Sequence, residues 1–221
     1  MSADASPYHH GDLREALVAE ALSRVRAQGA EAVSLRAVAQ AVGVSPSAAY
    51  HHFADKTAIL VAVAERGADE LDRRAVEAAG GLTVDDSATG LTRLAAVGVA
   101  YIGFAVDEPH LFRHTFGPYC ARIPHVDIGT DTGTTAGTTA GTTARTESDT
   151  DVDTDSAYGL LVDTLDRLDA LGALQRRDGL DLLAWAAVHG FASLVLDGFL
   201  SADAGPVLVD VLSSLLAPPS S

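Results

Sequence analysis

Apolar side chains recur at three- and four-residue spacing along nearly all of this 221-residue chain, and the alternation typical of strands is almost absent. Within residues 13–28, for example, Leu13, Leu17, Ala21 and Val25 form one stripe. Such spacing places apolar residues on one face of a helix. The sequence therefore predicts an all-α protein, and its hydrophobic residues, 48% of the chain, are enough for a substantial core.

Capping residues predict where the helices begin. Asp12, Ser34 and Asp55 each precede an apolar-periodic run, and Ser45 followed by Pro46 predicts the start of a helix of about two turns. Glycines such as those at 29, 43 and 80 predict the ends. The predicted helices are 13–28, 35–42, 46–52, 56–79, 88–106, 109–116, 157–175, 179–200 and 205–216.

Residues 124–156 are the exception to this pattern. Three tandem copies of Gly-Thr-Thr-Ala fill 133–144, and alternating aspartates follow from Asp149 to Asp155. Such a segment offers few apolar side chains to offset the entropy lost on ordering. We therefore expect a disordered, low-complexity insertion here.

Two patterns resemble metal sites, and neither is complete. The aspartates from Asp151 onwards mimic the opening of a calcium loop, but the sixth position is Ser156 rather than Gly and the twelfth is Val162 rather than Glu. The adjacent His51 and His52 point about 100° apart on a helix, and no third ligand lies near them in the sequence. We expect no metal and no cofactor.

The formal net charge of −15 is distributed unevenly along the chain. Residues 1–66 carry six Lys/Arg and seven Asp/Glu, whereas residues 67–221 carry nine and 23. The acidic second part is expected to stay away from nucleic acid. The nearly neutral first part can still approach phosphates through local placement of charge.

Several other protein classes are disfavoured. Cys120 is the one cysteine and no signal peptide is apparent, so a cytoplasmic protein is expected. The longest apolar stretch, 182–200, contains Asp197, which favours a buried bundle helix over a membrane span. Common enzyme motifs are missing, and a pairing of Cys120 with His114 or His125 is no more than chance expects. We expect neither a membrane association nor an enzyme.

Residues 34–57, SLRAVAQAVGVSPSAAYHHFADKT, carry the most information. Two short helices are joined by a turn that contains Gly43, and an aromatic residue and a third helix follow. Leu35, Val38 and Ala39 would form the inward face of the first short helix. This arrangement is typical of a helix-turn-helix, in which the second short helix enters the major groove of DNA.

The same segment resembles the DNA-binding domain of the TetR family of regulators. In that family the motif begins with Ser or Thr and ends in an aromatic-x-x-Phe followed by Lys. The resemblance covers about residues 8–66, and residues 8–14 resemble starts seen in part of the family. It implies a DNA-binding domain over 1–66. The matching residues are Ser34, Arg36, Val38, Ala39, Gly43, Val44, Tyr50, His51, Phe53, Lys56 and Leu60.

The expected DNA contacts follow from this assignment. Ser34 lies at a helix N-terminus, where N–H groups and the helix dipole favour a phosphate. The hydroxyls of Ser45 and Ser47 and the methyl of Ala48 suit base edges in the major groove. Lys56, the one lysine, stands where the family has its phosphate-contacting lysine. The predicted DNA-binding residues are Ser34, Arg36, Ser45, Pro46, Ser47, Ala48, Tyr50, His51 and Lys56.

The second domain, 67–221, is expected to be a helical bundle that binds a ligand and dimerises. Trp185-Ala-Ala-Val-His189-Gly190 resembles the Trp…His-Gly signature of one ligand-domain subfamily attached to TetR-type DNA-binding domains. Its aromatic residues either line an apolar pocket, with His189 as the polar contact, or fill the core, with His189 bonded to a backbone carbonyl. The predicted ligand-binding residues are Tyr101, Phe104, Phe112, Phe116, Trp185 and His189.

The resemblance and the last two helices together predict a homodimer. Small residues at Ala186, Gly190 and Ser193 permit close helix approach, and Val207 and Val211 continue an apolar face. The predicted function is a repressor that binds a palindromic DNA operator and is released by a small, largely apolar ligand. A ligand-independent or activating regulator is the alternative, and a helical-bundle enzyme or lipid carrier is the rival class.

Overall fold

The structure is a computed structural model that describes residues 10–118, 155–175 and 177–216. Within these residues it contains nine α-helices and two short 3-10 helices, with no strand. The all-α prediction is confirmed. The helices are α1 (His10–Gln28), α2 (Leu35–Val42), α3 (Pro46–His52), α4 (Lys56–Ala79), α5 (Ser87–Asp107), α6 (Pro109–Thr115), α7 (Ala157–Ala170), α8 (Leu180–Leu196) and α9 (Gly205–Leu216), and the 3-10 helices are Ala30–Ala32 and Ala202–Ala204.

Side-chain capping accounts for the starts of α3, α4, α5 and α7. The Ser45 hydroxyl accepts a hydrogen bond from the Ala48 backbone N–H, and the Asp55 carboxylate accepts one from that of Ala58. Ser34 occupies the N-cap position of α2, but its hydroxyl makes no capping bond. Asp12 lies inside α1, so its prediction as a cap was wrong: the helix begins before it, at His10.

Two predicted helices end earlier than expected because glycines reverse the backbone. Helix α7 stops at Ala170, before the predicted 175, and Gly172 follows with φ 66°. Helix α8 stops at Leu196, before the predicted 200, and Gly198 follows with φ 78°. A residue with a side chain rarely adopts such angles, so these glycines allow the chain to turn.

The N-terminal core is built by α1 to α3 and the first half of α4. Leu17, Val38, Ala49 and Val63 are fully buried there. The boundary predicted at residues 66 and 67 falls in the middle of α4, which runs unbroken from Lys56 to Ala79. The two parts of the chain therefore share one continuous helix.

Helix α5 lies at the centre of the second part and packs against α4, α7, α8 and α9, while the short α6 packs against α1 and α4. Among the described helices, α5 alone is long and apolar enough to cross a membrane by length and composition. The buried helix of a globular core meets the same criteria. Helix α8, which contains most of the apolar stretch noted in the sequence, packs against α5 and α9.

Several sequence features lie outside the described residues. They include the Gly-Thr-Thr-Ala copies, Cys120 and most of the aspartate run. Asp155 and Ser156 are described, and the Ser156 hydroxyl accepts a hydrogen bond from Gly159 at the start of α7. Ser156 is therefore part of the folded bundle.

Candidate DNA interface and ligand cavity

The second short helix, α3, has one buried side and one exposed side. Ala49 is fully buried and Phe53 nearly so, which holds the helix against the N-terminal core. The opposite side presents Ser47, Tyr50 and His51 to solvent. An exposed polar helix face on a firmly packed core can enter a major groove without unfolding anything.

The N-terminus of α2 also faces solvent. Ser34 is exposed and its hydroxyl makes no capping bond, so it keeps its full hydrogen-bonding capacity for a ligand. Arg36 in the same turn is exposed as well. Unbonded N–H groups, a hydroxyl and a guanidinium together suit one phosphate.

Lys56 lies at the N-terminus of α4, beside the first 3-10 helix. Its Nζ atom donates to the Glu31 carbonyl oxygen at 3.4 Å and lies 3.9 Å from the Glu31 carboxylate. The Lys56 side chain is 41% exposed. The ammonium is thus held in place by the backbone while one side remains open to an anion.

Of the nine predicted DNA-binding residues, the structure exposes all but Ala48 and Lys56, which are half-buried. They occupy the starts of α2 and α4 and the length of α3 with its cap. These three segments belong to one packed unit, because α2, α3 and α4 share the N-terminal core.

All six predicted ligand residues form one ring cluster in the second part, in which Phe104 meets Phe112 at 6.1 Å, centroid to centroid. The Tyr101 ring lies 5.6 Å from Phe112, 5.5 Å from Phe116 and 5.1 Å from Trp185, centroid to centroid. The imidazole of His189 stacks on Phe112 at 5.5 Å with 25° between the planes. These rings fill space against one another, as core side chains do.

His189 is tied to the cluster by a hydrogen bond. Its Nδ1 atom lies 2.8 Å from the Tyr101 hydroxyl oxygen. Burial lowers the pKa of His189, because desolvation disfavours the imidazolium. The sequence left a backbone carbonyl open as its partner; the observed partner is a side-chain hydroxyl on α5.

An apolar cavity of about 60 Å³ lies between α5, α7, α8 and α9. Tyr101 and Trp185 line it, whereas Phe112, Phe116 and His189 contact Tyr101 without lining the cavity. Phe104 is fully buried and does not line it. The aliphatic lining, which sequence reasoning missed, includes Leu94, Val97, Gly98, Leu161, Val188 and Val209.

The size of this cavity limits what fits without rearrangement. Pockets for small organic ligands commonly measure roughly 300–1,000 Å³. The observed 60 Å³ is far smaller, so a drug-sized molecule enters only if the surrounding side chains repack. Because the lining is almost wholly hydrocarbon, the space suits an apolar group.

Helix α6 connects the ring cluster to the N-terminal part. Phe112 on this helix stacks on His189, and His114, one half-turn further, places Nε2 2.8 Å from the Leu60 carbonyl oxygen of α4. Burial lowers the pKa of His114, and the hydrogen bond to Leu60 opposes that shift in part. At the start of α6, Glu108 pairs with Arg26 of α1 at 3.1 Å.

The outer faces of α8 and α9 expose apolar side chains. Leu183, Leu194, Val207 and Val211 are between 44% and 62% exposed. Exposed apolar residues that continue along two neighbouring helices are typical of a protein–protein interface. Among the described residues, by contrast, no three His, Cys, Asp or Glu side chains come together as metal ligands do.

Comparison with protein families gives two matches. Residues 17–63 match the family described as "Bacterial regulatory proteins, tetR family". Residues 94–215, more than half of the chain, match the family described as "Tetracyclin repressor-like, C-terminal domain". No curated protein matches the chain.

Solved structures share the fold over nearly the whole chain. A protein of unknown function from Rhodococcus sp. RHA1 is 26% identical, with TM-score 0.69, covering 96% of this chain and 100% of its own. A tetR family regulatory protein from Rhodococcus RHA1 is 16% identical, with TM-score 0.59 and coverages of 94% and 98%. SmeT in complex with triclosan is 15% identical, with TM-score 0.50 and coverages of 94% and 92%.

Proposed function

Because this chain belongs to the TetR family of bacterial regulatory proteins, we propose that it is a homodimeric repressor that a small apolar molecule releases from its operator. The family makes it a DNA-binding transcriptional regulator. We further propose that it represses transcription, forms a dimer, binds a small ligand and lies in the cytoplasm. The single observation that supports operator binding most directly is the exposed Ser47, Tyr50 and His51 face of α3 above a buried Ala49.

Each predicted DNA contact has a proposed role. Ser34, Arg36 and Lys56 bind phosphates at the N-termini of α2 and α4. These contacts fix the orientation of the N-terminal DNA-binding part on the duplex. Ser45, Ser47 and Ala48 at the start of α3 read base edges. The remaining contacts, Pro46, Tyr50 and His51, flank the groove.

The ligand is proposed to enter the cavity beside Tyr101 and Trp185. The aliphatic lining favours an apolar molecule, and Tyr101 and His189 are the nearest polar groups of the cluster. SmeT was solved with triclosan, so a protein with this fold does accept a small molecule. The Trp185 to His189 segment is proposed to be of the Trp…His-Gly type.

Release is proposed to pass through α6. A molecule that enlarges the cavity displaces Tyr101, which contacts Phe112 on α6. Movement of α6 then shifts α4 through the His114 bond to Leu60. In a dimer joined through α8 and α9, a tilt of α4 changes the distance between the N-terminal DNA-binding parts of the two protomers. A ligand that fits only the tilted form therefore shifts the population away from the DNA-bound form.

One observation favours the alternative of a ligand-independent regulator. The cavity of about 60 Å³ is small, and the ring cluster around it is tightly packed. A regulator that never binds a ligand needs no larger space. The two functions share the same DNA contacts and differ only in whether an added molecule weakens operator binding.

The test is a selection of bound fragments from random double-stranded DNA, followed by footprinting. A palindrome is expected, because two-fold symmetry of the protein is mirrored in two half-sites. Apolar compounds are then added to the complex, and release is followed by gel shift. A single asymmetric half-site occupied by a monomer would contradict the homodimer, and the absence of release by any compound would leave the ligand-independent regulator.

A further inference from the structure

Arg113 on α6 binds the C-terminal end of α8. Its Nη2 atom donates to the Leu196 carbonyl oxygen at 3.0 Å and to the carboxylate of Asp197. Leu196 is the last residue of α8, and Asp197 follows it directly. The last carbonyl groups of a helix carry partial negative charge and lack helical partners, so a guanidinium is favourable there. Arg113 therefore caps α8 from a different helix.

The backbone beyond α8 leaves the Leu196 carbonyl to Arg113. The chain turns at Gly198, whose φ is 78°. The backbone N–H groups from Gly198 onwards donate to carbonyls earlier in the helix, at Leu194 and Val195. Within the described residues, the Leu196 carbonyl therefore accepts its hydrogen bond from Arg113 alone.

The residue after Arg113 is bonded in another direction. His114 Nε2 lies 2.8 Å from the Leu60 carbonyl oxygen of α4, so two successive residues of a seven-residue helix hold two different helices. At the N-cap of α6, Glu108 pairs with Arg26 of α1 at 3.1 Å. Since α1 and α4 build the N-terminal core and α8 belongs to the second part, α6 joins the two parts through side chains.

Direct contact between α6 and α8 is otherwise limited. Helix α6 packs mainly against α1, α4 and α5, whereas α8 packs mainly against α5, α7 and α9. The ring of Phe112 on α6 does stack on His189 of α8. Ring contacts tolerate several geometries, whereas a hydrogen bond requires its donor and acceptor to be aligned. Arg113 therefore supplies the directional contact between α6 and α8.

We propose that Arg113 is a positioning residue for operator binding. By holding α6 on the end of α8, it fixes the angle between α8, where the proposed dimer forms, and α4, which carries the N-terminal DNA-binding part. This inference rests on the proposed homodimer, because a palindrome requires the two α3 helices at one fixed separation. A single half-site requires no such separation, since one N-terminal part makes all the contacts.

The test compares the affinities for two duplexes: the palindrome obtained by selection, and the same duplex with one half-site scrambled. Arg113→Ala is expected to weaken binding to the palindrome about three- to tenfold, because each of two protomers loses one half-exposed ion pair. Binding to the half-site duplex is expected to stay nearly unchanged. Fluorescence anisotropy of labelled duplexes at one salt concentration measures both affinities. Equal weakening on the two duplexes would overturn the proposal.

Arg73→Ala is the matched control. The Arg73 side chain is 52% exposed, against 49% for Arg113, but its ion pairs join residues of α4 alone. The variant removes the same charge, so it is expected to leave the ratio of palindrome affinity to half-site affinity at the wild-type value. A fall in that ratio as large as the one in Arg113→Ala would attribute the effect to net charge and overturn the proposal.

Asp197→Ala tests the same contact from α8. It is expected to lower the ratio of the two affinities, and the double variant is expected to lose no more than Arg113→Ala alone, because both changes remove one interaction. Additive losses would show that Arg113 and Asp197 act separately, against the proposal. A wild-type chain that binds both duplexes equally well would instead contradict the proposed homodimer, so the two failures are distinguishable.

Discussion

His114 on α6 and Leu60 on α4 are joined by a hydrogen bond of 2.8 Å between imidazole Nε2 and the backbone carbonyl oxygen. A carbonyl can only accept, so Nε2 carries a proton and donates it. The imidazole is buried, and burial lowers its pKa. Both the neutral and the protonated ring can donate from Nε2 to Leu60, so the bond between α6 and α4 persists on protonation, and burial is what disfavours the charged ring.

The first prediction concerns acid. Because the pKa of His114 in the folded chain lies below its ordinary value of 6.5, the unfolded chain binds a proton more readily. The free energy of unfolding is therefore expected to fall as pH drops below about 6.5, by at most about 1.4 kcal/mol per pH unit from this one group. His114→Gln keeps an N–H donor for Leu60 but does not titrate, so the loss in acid should be smaller. Urea unfolding from about pH 8 to pH 5 measures it.

The control for the acid prediction is His110→Gln. His110 is exposed on the same helix, so this variant makes the same His-to-Gln change without touching the buried bond to Leu60. Equal pH dependence in wild type and His114→Gln would show that His114 does not control this loss of stability.

The second prediction concerns Gly67, where α4 approaches α6. A Cβ atom added there would overlap Thr115 Oγ1 and lie 3.2 Å from Leu111 Cδ1, both on α6. Gly67→Ala is therefore expected to force the two helices apart and to destabilise the fold by about 1–3 kcal/mol. Gly103→Ala, at a helical glycine with no neighbour within 4 Å, should be neutral or stabilising by up to about 1 kcal/mol. Denaturant unfolding compares the two, and equal stabilities would show that the α4–α6 approach is not tight.

The third prediction separates phosphate contact from base contact. Lys56→Ala should weaken binding to all DNA sequences alike and reduce the salt dependence by about one counterion per protomer. Ser47→Ala should instead change the preferred bases while leaving the salt slope nearly unchanged. Gel shifts at several salt concentrations test both. A changed base preference with an unchanged slope in Lys56→Ala would contradict its assignment to a phosphate.

The fourth prediction uses the one tryptophan of the chain as a reporter. Trp185 lines the apolar cavity and lies 5.1 Å from Tyr101, centroid to centroid. A ligand that enters there should shift or quench its emission in a saturable way. His189→Ala should weaken ligand binding while operator affinity without ligand stays nearly constant. If the variant loses stability and DNA affinity together, and effectors leave the emission unchanged, His189 is a core residue.

The fifth prediction concerns the bond between Tyr101 and His189. Tyr101→Phe keeps the ring contacts and removes the hydroxyl that lies 2.8 Å from Nδ1. The half-buried imidazole then loses this partner, and the free energy of unfolding should fall by about 1–2 kcal/mol. Tyr50→Phe, which removes an exposed hydroxyl, is the matched control and should change stability by less than about 0.5 kcal/mol. Equal effects would mean that the bond contributes nothing measurable.

The helices were predictable because their signals are local. Ser45 and Asp55 cap through backbone N–H groups three residues away, and Pro46 fixes the first turn of α3, so neighbours in sequence carry the information. The same reasoning failed where two signals competed. The helical period continues past Gly172, where the backbone in fact turns, and the N-cap pattern at Asp12 lies inside a helix that begins at His10.

The cavity was not predictable in the same way. Large aromatic residues were expected to line a pocket, but large side chains fill space, and Phe104 is wholly enclosed. The actual lining includes Leu161 and Val209, which come from distant positions and have no distinctive sequence signal. The packing of α5, α7, α8 and α9 against one another decides which aliphatic side chains border a cavity. The exposed face of α3, by contrast, follows from the helical period alone.

Because α4 is unbroken, the number of residues in it sets the rotation of the N-terminal DNA-binding part relative to the rest of the protein. Each residue of an α-helix advances the chain by about 100° and 1.5 Å, so an insertion in α4 between the head and the Gly67 contact would turn α2 and α3 around the helix axis. In the proposed homodimer the α3 helix of each protomer would rotate by the same angle about the axis of its own α4. One of the two α3 helices would then miss its major groove. An insertion of about seven residues, close to two full turns, restores the facing but lengthens the helix by about 10 Å. The number of residues in α4 therefore fixes the rotational position of α3. Insertions and deletions that an exposed loop would tolerate are expected to abolish operator binding when they fall in α4.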